Sequence, residues 1–273
     1  MTTATADPAE VAYDALAPAY DALTAGYDYD AWLAAIERVA VAHGLDGRRV
    51  LDVACGTGKS FVPLLERGYV VTACDISAAM LRVARTKVGP RATLRRLDMR
   101  ALPALGRFDL VTCLDDAVNY LPDEVALTEA FEGMRANLAP RGVLVFDVNA
   151  LRTYRGSFAG DWVVDGEDCM VAWRGRTAPD LAAGGHAELV VDAFLRGTGA
   201  DAWTRHQAVH RQFHHPAERL ERALTAAGLQ LRARLGQLPG AVLDDGAFSE
   251  LEHAKALYVA TDAEGGAGMI ARP

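Results

Sequence analysis

Apolar residues follow two different spacings along the chain, and the spacing changes near residue 150. Up to that point, short apolar runs alternate with longer stretches that have apolar residues at helical spacing. Short apolar runs bounded by turn residues predict buried strands, and the longer stretches predict the helices between them. The predicted strands are residues 50–54, 69–74, 92–97, 107–114 and 143–148. Strands and helices alternating in this order predict a parallel sheet with right-handed crossovers.

Beyond residue 150 the apolar residues fall into shorter, alternating runs that are separated by glycine-containing turns. The runs are Met170–Trp173, Ala187–Leu195 and Trp203–Phe213. Period-two alternation between such turns predicts antiparallel strands. We therefore expect an antiparallel sheet inserted after the fifth strand.

The C-terminal part returns to the first pattern, with a helix at Pro216–Ala227 and strands at Leu229–Leu235 and Lys255–Thr261. These two strands bring the expected main sheet to seven. The fold class expected is α/β, with a mostly parallel sheet. We expect four units: 1–45 as an N-terminal helical cap, 46–155 as the α/β core, 156–215 as the antiparallel insertion, and 216–273 as the completion of the core sheet.

The turn after the first predicted strand carries the clearest chemical pattern. The run Val50–Ala54 leads into Gly56 and Gly58 before helical spacing resumes. Glycine allows a sharp turn and lets a ligand approach the main chain closely. Open α/β sheets bind ligands at the carboxyl ends of their strands. We therefore expect a ligand crevice at this turn.

Two nucleotide-binding motifs fit parts of this turn. Residues 58–60 (Gly-Lys-Ser) are typical of the end of a P-loop, but Val53 stands where that motif needs a glycine. Gly56 and Gly58 fit the dinucleotide pattern G-x-G-x-x-G, but Phe61 stands at its third glycine. Each motif is therefore incomplete.

A third motif fits better. Residues 52–58, with the pattern Asp-x-Ala-Cys-Gly-Thr-Gly, resemble motif I of the class I S-adenosylmethionine-dependent methyltransferases. The runs at 108–111 (Phe-Asp-Leu-Val) and 138–144 (Leu-x-Pro-x-Gly-x-Leu) are also similar to that family. An ordinary turn would explain the glycines alone, but not the acids after later strands. The resemblance implies a Rossmann-like sheet, a lid formed by the antiparallel insertion, S-adenosylmethionine as cofactor and S-adenosylhomocysteine as product.

Acids stand at the ends of the next two predicted strands. Asp75 follows the second strand, where a carboxylate can accept both ribose hydroxyls of a nucleotide. On the resemblance, Ile76 and Met80 pack on the adenine ring, and Asp98 accepts from its amino group with Met99 alongside. A helix cap or turn would also explain Asp98, and a core position would explain Met80.

Tyr-Asp pairs recur at seven-residue spacing, with tyrosines at 13, 20 and 27. An amphipathic helical seam would explain the spacing. Small methyltransferases often carry a similar entry segment that covers the cofactor. On that resemblance, Tyr13 and Tyr20 contact the amino-acid end of the cofactor or the substrate.

A polar segment follows the fourth strand. The resemblance implies that Leu114 or Asp115 holds the cofactor's amino group and that Asn119 and Tyr120 border the acceptor. A solvated loop would explain the same residues. In full, the residues expected to bind the cofactor are Tyr13, Tyr20, Ala54, Cys55, Gly56, Gly58, Asp75, Ile76, Met80, Asp98, Met99, Leu114, Asp115 and Asn119.

Methyl transfer from a sulfonium is an in-line displacement, so the protein mainly supplies proximity and alignment. A base is needed only where the acceptor must lose a proton. His206 and His210 are candidate bases because strand alternation puts them on one face with Ala208 and Gln212. Tyr20 is a further catalytic candidate through the resemblance. Histidines on the solvent face of the lid would be the alternative.

Three tryptophans fall within the predicted lid. Trp162, Trp173 and Trp203 would either wall an aromatic acceptor or fill the core of the lid. The sequence shows no ligand cluster with metal spacing, and methyl transfer needs no metal.

Composition narrows the class of protein. The chain has 273 residues and a formal net charge of −8, which argues against nucleic acid as a partner. We find no signal peptide and no stretch that would span a membrane. The four cysteines lack CxxC spacing and are expected to be buried thiols in a reducing cytoplasm.

These observations predict a small-molecule methyltransferase of bacterial secondary metabolism, acting as a monomer or homodimer. The acceptor atom expected is nitrogen, oxygen or a nucleophilic aromatic carbon. A non-catalytic S-adenosylmethionine-binding regulatory module and a nicotinamide-dependent oxidoreductase remain as alternatives.

Overall fold

The main sheet of the molecule has a parallel half and an antiparallel edge. In the computed structural model, residues 6–197, 202–240 and 242–264 are described. The strands of this sheet are β1 Arg49–Val53, β2 Val70–Asp75, β3 Ala92–Arg96, β4 Phe108–Cys113, β5 Leu138–Asn149, β10 Leu229–Leu238, β11 Val242–Asp244 and β12 Lys255–Asp262. Their order is β11-β10-β12-β5-β4-β1-β2-β3, so the strand order reverses between β1 and β4. Ligands bind open α/β sheets at such a switch point.

The described main sheet has eight strands, one more than the pattern predicts. The additional strand, β11, pairs antiparallel with β10 at the edge, where Leu238 faces Val242 and Gly236 faces Asp244. It is three residues long, which is too short to show a periodic pattern. The mostly parallel Rossmann-like sheet expected from the sequence is otherwise confirmed.

Helices cover both faces of this sheet. They are α1 Pro8–Leu16, α2 Tyr20–Leu23, α3 Tyr29–Ala42, α4 Val62–Glu66, α5 Ala78–Val88, α6 Glu124–Ala136, α7 Leu151–Gly156 and α8 Ala217–Ala226. On one face Phe131 of α6 packs against Phe146 of β5. On the other, the fully buried Trp32 and Ile36 of α3 pack with Val145. Burial of these aromatic and aliphatic side chains holds the layers together.

The insertion forms a separate antiparallel sheet, as the alternation predicts. We call it the lid; it consists of β6 Asp161–Asp165, β7 Cys169–Gly175, β8 His186–Arg196 and β9 Trp203–Phe213, in that order. Ala12 and Leu16 of α1 pack on its inner face against Leu189 and Val191. The N-terminal helices α1–α3 are called the cap: α1 lies between the lid and the core, whereas α3 packs on the main sheet.

Among the described residues no helix is both long and apolar enough to cross a membrane. All four cysteines are free thiols, and Cys55, Cys74 and Cys113 are buried. The division into four units at residues 45, 155 and 215 stays a prediction.

Candidate active site

Three short turns meet at the carboxyl ends of β1, β2 and β4, beside the switch point. Within the described ranges, only three non-glycine residues have a positive φ: Ala54 at 58°, Asp115 at 59° and Asp116 at 54°. Such backbone costs energy at residues other than glycine and is concentrated at functional sites. The strained positions therefore mark this edge of the sheet.

Hydrogen bonds fix the glycine turn from beneath. Asp52 is fully buried and accepts from Ser60 Oγ and Thr112 Oγ1, both at 2.6 Å. Burial raises the pKa of Asp52 to about 7, against the lowering effect of these two hydroxyls. A Cβ added at Gly56 would meet nothing within 4 Å, so the space in front of this glycine is open. The turn therefore presents bare backbone to the crevice.

The lysine of the Gly-Lys-Ser run faces away from any phosphate position. Lys59 Nζ donates to the carbonyl oxygen and the hydroxyl of Thr24, both at 2.8 Å. Phe61, at the third position of the dinucleotide pattern, is fully buried beneath the turn, 2.9 Å from where a Cβ of Gly58 would lie. These contacts support neither the P-loop nor the dinucleotide interpretation.

Asp75 closes the turn from the side of β2. Its carboxylate accepts from the backbone N–H groups of Gly56 and Ser77, each at 2.8 Å. Burial raises the pKa of Asp75 to about 6, while these amide donors act to lower it. A cavity of about 70 Å³ beside it is lined by both acids of the crevice, Asp75 and Asp115, and by the apolar Ile76 and Leu114.

A second small cavity, of about 50 Å³, lies at the far end of this crevice and is lined by Ile76, Asp98 and Met99. Arg100 donates to both carboxylate oxygens of Asp98 and also to Asp7 of the cap. Burial alone would raise the pKa of Asp98, but its contacts with Arg100 outweigh burial and hold that pKa below its usual value. Asp98 thus forms a wall that is charged at neutral pH.

In the Tyr-Asp pairs of the cap, the tyrosines and the acids have different contacts. Asp14 accepts from Ser77 Oγ and from the backbone N–H of Ala79, at the start of α5. Asp21 accepts from Thr57 Oγ1 at 2.7 Å, within the glycine turn. The tyrosines at 13, 20 and 27 instead line a larger cavity. The seven-residue spacing therefore reflects anchoring by the acids and lining by the rings.

The larger cavity, of about 520 Å³, lies between the cap, the lid and the end of β4. Its aromatic wall includes Phe158, Trp162 and Trp173, and the two indole rings stack with centroids 4.6 Å apart. Trp203 is absent from this lining and instead lies under the guanidinium of Arg196. Two of the three tryptophans of the lid therefore line this cavity.

Acidic residues form the floor of this cavity. Lys255 Nζ lies 2.7 Å from Asp116 Oδ1, 2.8 Å from Asp147 Oδ2 and 3.5 Å from Asp115 Oδ1. Burial would lower the pKa of Lys255, but the three carboxylates outweigh burial and raise it. Burial raises the pKa of Asp147 to about 6. At neutral pH the floor thus carries more negative than positive charge.

A chain of hydrogen bonds runs up one wall of the cavity. Tyr13 donates to Tyr120 over 3.0 Å, and the Tyr120 hydroxyl lies 2.7 Å from His210 Nδ1. Burial lowers the pKa of His210 to about 4, although Asp116 acts to raise it. His210 is therefore neutral at pH 7 and can accept a hydrogen bond.

The sequence-predicted site residues separate into two groups. The structure brings eleven of them to the linings of these cavities: Tyr13, Tyr20, Ala54, Gly56, Asp75, Ile76, Asp98, Met99, Leu114, Asp115 and His210. The remaining five, Cys55, Gly58, Met80, Asn119 and His206, are outside these linings.

Physical reasons for three of these positions are visible in the packing. Met80 is 1% exposed and packs in the core with Ala17. Asn119 is fully buried, donates to the carbonyl of Phe213 and accepts from the backbone N–H of Asn149. His206 lies on the predicted face of β9, where it pairs with Ala193. It is four residues before His210 along this strand and therefore beyond the cavity.

Sequence reasoning did not assign several polar residues of the cavity to the site, among them Asp116, Gln212 and Lys255. Gln212 Nε2 donates to Asp116 Oδ2 and so joins the lid to the floor. Asp116 adjoins a predicted site residue, and lysine is rare in this chain, so both offered a weak indication. Tyr27 could have been found by extending the Tyr-Asp repeat.

The crevice suits an adenosyl sulfonium with an amino-acid tail. Open space in front of Gly56, a carboxylate at Asp75 and a second at Asp115 fit ribose hydroxyls and an amino group. Apolar Ile76 and Leu114 fit an adenine ring and the carbon chain of the amino-acid tail. Tyr13, Tyr20 and Asp115 line both this crevice and the larger cavity, so the two spaces adjoin.

Comparison with known proteins agrees with this geometry. The chain matches a family model described as a methyltransferase domain over residues 50–142. The putative methyltransferase YqeM of Bacillus subtilis (strain 168) is 31% identical over 207 residues, which cover 74% of this chain and 80% of that protein. The dTDP-3-amino-3,6-dideoxy-alpha-D-glucopyranose N,N-dimethyltransferase of Streptomyces fradiae is 30% identical over 231 residues, covering 84% and 86%.

Among solved structures, an S-adenosylmethionine-dependent methyltransferase from Clostridium acetobutylicum ATCC 824 has a TM-score of 0.77 at 24% identity, covering 92% of this chain and 98% of that chain. This likeness shows the fold. The matches favour the motif I interpretation of the glycine turn. With relatives this similar over most of its length, the chain belongs to the class I S-adenosylmethionine-dependent methyltransferases.

Proposed function

We propose that this enzyme methylates an amine nitrogen of a small molecule held in the 520 Å³ cavity. The observation that carries the proposal is the pair of carboxylates, Asp115 and Asp116, on the cavity floor. S-adenosylmethionine supplies the methyl group from its sulfonium, and the electron pair of the broken carbon–sulfur bond stays on sulfur. The acceptor nitrogen uses its lone pair to bond the methyl carbon and so becomes positively charged.

Charge at the floor favours nitrogen over a phenolic oxygen. A carboxylate near the acceptor stabilises positive charge that develops on nitrogen. A phenol must instead lose a proton, and nearby negative charge opposes phenolate formation. The phenol of Tyr20 shows this effect. Its pKa is raised well above the usual value, mainly by burial and further by the negative charges of Asp115 and Asp116. A phenol acceptor would meet the same surroundings.

The cavity wall supplies a hydrogen-bond acceptor. His210 is neutral at pH 7, and Tyr120 joins it to Tyr13 by hydrogen bonds. In the proposal the acceptor reacts as the free amine, and its N–H donates to the Tyr13 hydroxyl, which directs the nitrogen lone pair toward the methyl carbon. After transfer, the proton of the product leaves to solvent. Tyr20 of the cap and the side chain of His210 on β9 align the acceptor. His206, the other candidate base, lies outside the cavity lining and has no part in this scheme.

The cofactor crevice is assigned residue by residue. In the proposal Asp75 accepts the ribose hydroxyls, Asp98 and Met99 hold the adenine amino group, and Leu114 with Asp115 holds the amino-acid end. Ile76 packs on the adenine ring. Support comes from the positions of these side chains around the two small cavities.

The setting of the reaction is also part of the proposal. The Streptomyces fradiae relative is named for N-methylation of an amino sugar, which supports an amine acceptor in bacterial secondary metabolism. Free buried thiols suit a reducing cytoplasm. A net charge of −8 supports an enzyme that works without nucleic acid, as a monomer or homodimer.

A matched acceptor panel tests the proposal. We would incubate the enzyme with methyl-labelled S-adenosylmethionine and 2-phenylethylamine, 4-ethylphenol or indole, and locate the label by mass spectrometry. We expect N-methylation of the amine at a kcat/KM at least tenfold above that for the other two acceptors. Label on oxygen or carbon at an equal rate would contradict the choice of nitrogen.

A further inference from the structure

The lining of the large cavity constrains what the acceptor can carry besides its amine. Among the described lining residues, Lys255 is the only one with a cationic side chain at neutral pH. Its ammonium group is already in contact with Asp115, Asp116 and Asp147. No cation of this described lining is therefore left to bind a phosphate or carboxylate group of a substrate.

Nearby arginines point elsewhere. Thr153 and Ser157, on one side of α7 and just beyond its end, line the cavity. On the same segment, Arg152 donates to the carbonyl of Glu252, and Arg155 donates twice to the carbonyl of Leu181, at 3.0 and 2.8 Å. Arg174 of the lid, next to Trp173, also points away from the cavity, because it pairs with Asp192 on the outer face of the lid.

Another part of the lining is apolar and suits a ring. Trp162 and Trp173 stack at an interplanar angle of 9°, and Trp162 remains 40% exposed. Leu189 and Phe158 extend this surface. A flat indole face binds rings by stacking and attracts cations by its quadrupole, whereas it offers nothing to an anion.

From these two walls and the acidic floor, we infer that the acceptor is an apolar, ring-bearing amine with no phosphate or carboxylate group. The inference rests on the proposed N-methylation and separates this enzyme from its Streptomyces fradiae relative, whose name specifies a nucleoside diphosphate sugar. A cavity of about 520 Å³ holds a drug-sized molecule, so volume permits either acceptor and charge decides between them.

Binding to the protein loaded with S-adenosylhomocysteine tests this directly. Three probes would be titrated by calorimetry: 2-phenylethylamine, 3-phenylpropionate and thymidine diphosphate. The first two share a ring and a short chain but differ in charge. We expect the amine to bind with a Kd at least tenfold below that of either anion. Equal or tighter binding of thymidine diphosphate, or no tenfold preference for the amine, would overturn the inference.

Two matched variants locate the preference within the cavity. Trp162→Ala should raise the Kd of 2-phenylethylamine about three- to tenfold, the range expected for losing one aromatic contact. Trp203→Ala, on the same lid but outside the cavity lining, should leave it unchanged. Asp116→Asn should reduce the preference for amine over phenylpropionate about tenfold. Equal effects of the two tryptophan variants would also overturn the inference.

Failure of this inference and failure of the proposed function give different results. If the enzyme N-methylates dTDP-3-amino-3,6-dideoxyglucose faster than the benzyl glycoside of the same amino sugar, the amine assignment stands and the inference is wrong. If the probes show the expected charge preference but label appears on phenolic oxygen, the proposed function is wrong while the charge preference stands.

Discussion

At the scale of single residues, the site depends on a few carboxylates whose surroundings differ. Asp52 and Asp75 are buried and accept hydrogen bonds from the turn, whereas Asp98 is held as an anion by Arg100. The same residue type thus builds the turn in one place and faces the crevice in another. Substitutions at these acids should separate binding from folding.

Asp75→Asn should weaken cofactor binding at least tenfold. The change removes a charged acceptor of the Gly56 and Ser77 amides and of the proposed ribose hydroxyls, and hydrogen bonds to charged groups contribute about 1.5–3 kcal/mol each. Calorimetry with S-adenosylhomocysteine would measure the effect. Asp46→Asn, at an exposed position before β1 and therefore at the other end of that strand from the crevice, serves as the charge-matched control. Unchanged affinity in the Asp75 variant would exclude the ribose role.

His210→Gln should lower kcat about three- to tenfold, because the hydrogen-bond chain that aligns the acceptor loses its last acceptor and one such bond contributes about 0.5–1.5 kcal/mol. His206→Gln is the matched control, since it lies on the same strand face but outside the cavity lining. Initial rates at saturating cofactor and acceptor would compare the two variants. Equal rates would remove His210 from the alignment of the acceptor.

The pH dependence of stability should also change at His210. Its folded pKa of about 4 lies below the unfolded value of 6.5, so the unfolded chain binds more protons between these values. Stability from this residue is therefore present above pH 6.5 and decreases as the pH decreases toward 4. Between pH 7 and 4.5 the loss is on the order of 2 kcal/mol. Urea unfolding at both values should show that His210→Gln lacks this share of the loss, while His206→Gln keeps it.

At the scale of elements, α1 and α2 of the cap are attached to the core mainly by polar side chains, whereas the fully buried Trp32 and Ile36 fix α3 to the main sheet. Asp14 contacts the start of α5, Asp21 contacts the glycine turn, and Lys59 reaches back to Thr24. Salt bridges from Glu10 to Arg96 and from Asp7 to Arg100 add to these contacts. Elements attached this way can separate from the core at small cost compared with a buried apolar interface.

Asp21→Asn should loosen the cap without unfolding the core. The variant weakens contacts to Thr57 and Lys87, and losing a hydrogen bond to a charged group costs about 1.5–3 kcal/mol. Amide exchange in residues 20–27 should become about ten- to a hundredfold faster, while β1 and β4 keep wild-type exchange. Uniform acceleration across the sheet would contradict a separately attached cap.

The order of elements could be predicted from the sequence because each element has a pattern of its own within a short stretch of residues. Buried strands, glycine turns and Tyr-Asp spacing all lie within short windows, and they led to Gly56, Asp75, Tyr13 and His210. Lys255 could not be found this way, because its partner Asp116 is 139 residues away in sequence. Likewise, the sequence around Asn119 does not show whether its side chain faces the acceptor or, as in the structure, is buried and bonded to the backbone of Phe213 and Asn149.

At the scale of the whole molecule, the cofactor crevice is narrow. Its two cavities measure about 70 and 50 Å³, whereas ligand pockets usually measure about 300 Å³ or more. Helix α1 of the cap borders this crevice and is itself packed against the lid through Ala12 and Leu16. We therefore expect α1 and the lid to shift relative to the core when the cofactor enters.

Cofactor binding should accordingly occur in two steps. In stopped-flow experiments with S-adenosylhomocysteine, the observed rate should reach a plateau at high ligand concentration, because opening of the cap becomes limiting. Asp21→Asn should raise the plateau. A rate that stays linear in ligand concentration, with no effect of the variant, would show that the crevice is open to ligand without this motion.

The position of Lys255 at the start of β12 has a consequence for synthesis of the enzyme. The ribosome adds the three acids Asp115, Asp116 and Asp147 well before Lys255, whose ammonium group balances their charge. Strand β12, which begins with Lys255, also lies between β5 and β10 in the sheet. A polypeptide shortened before residue 255 would keep the motif I turn but lack the counter-ion of its acceptor floor. Methylation competence is thus gained only after β12 has been synthesised.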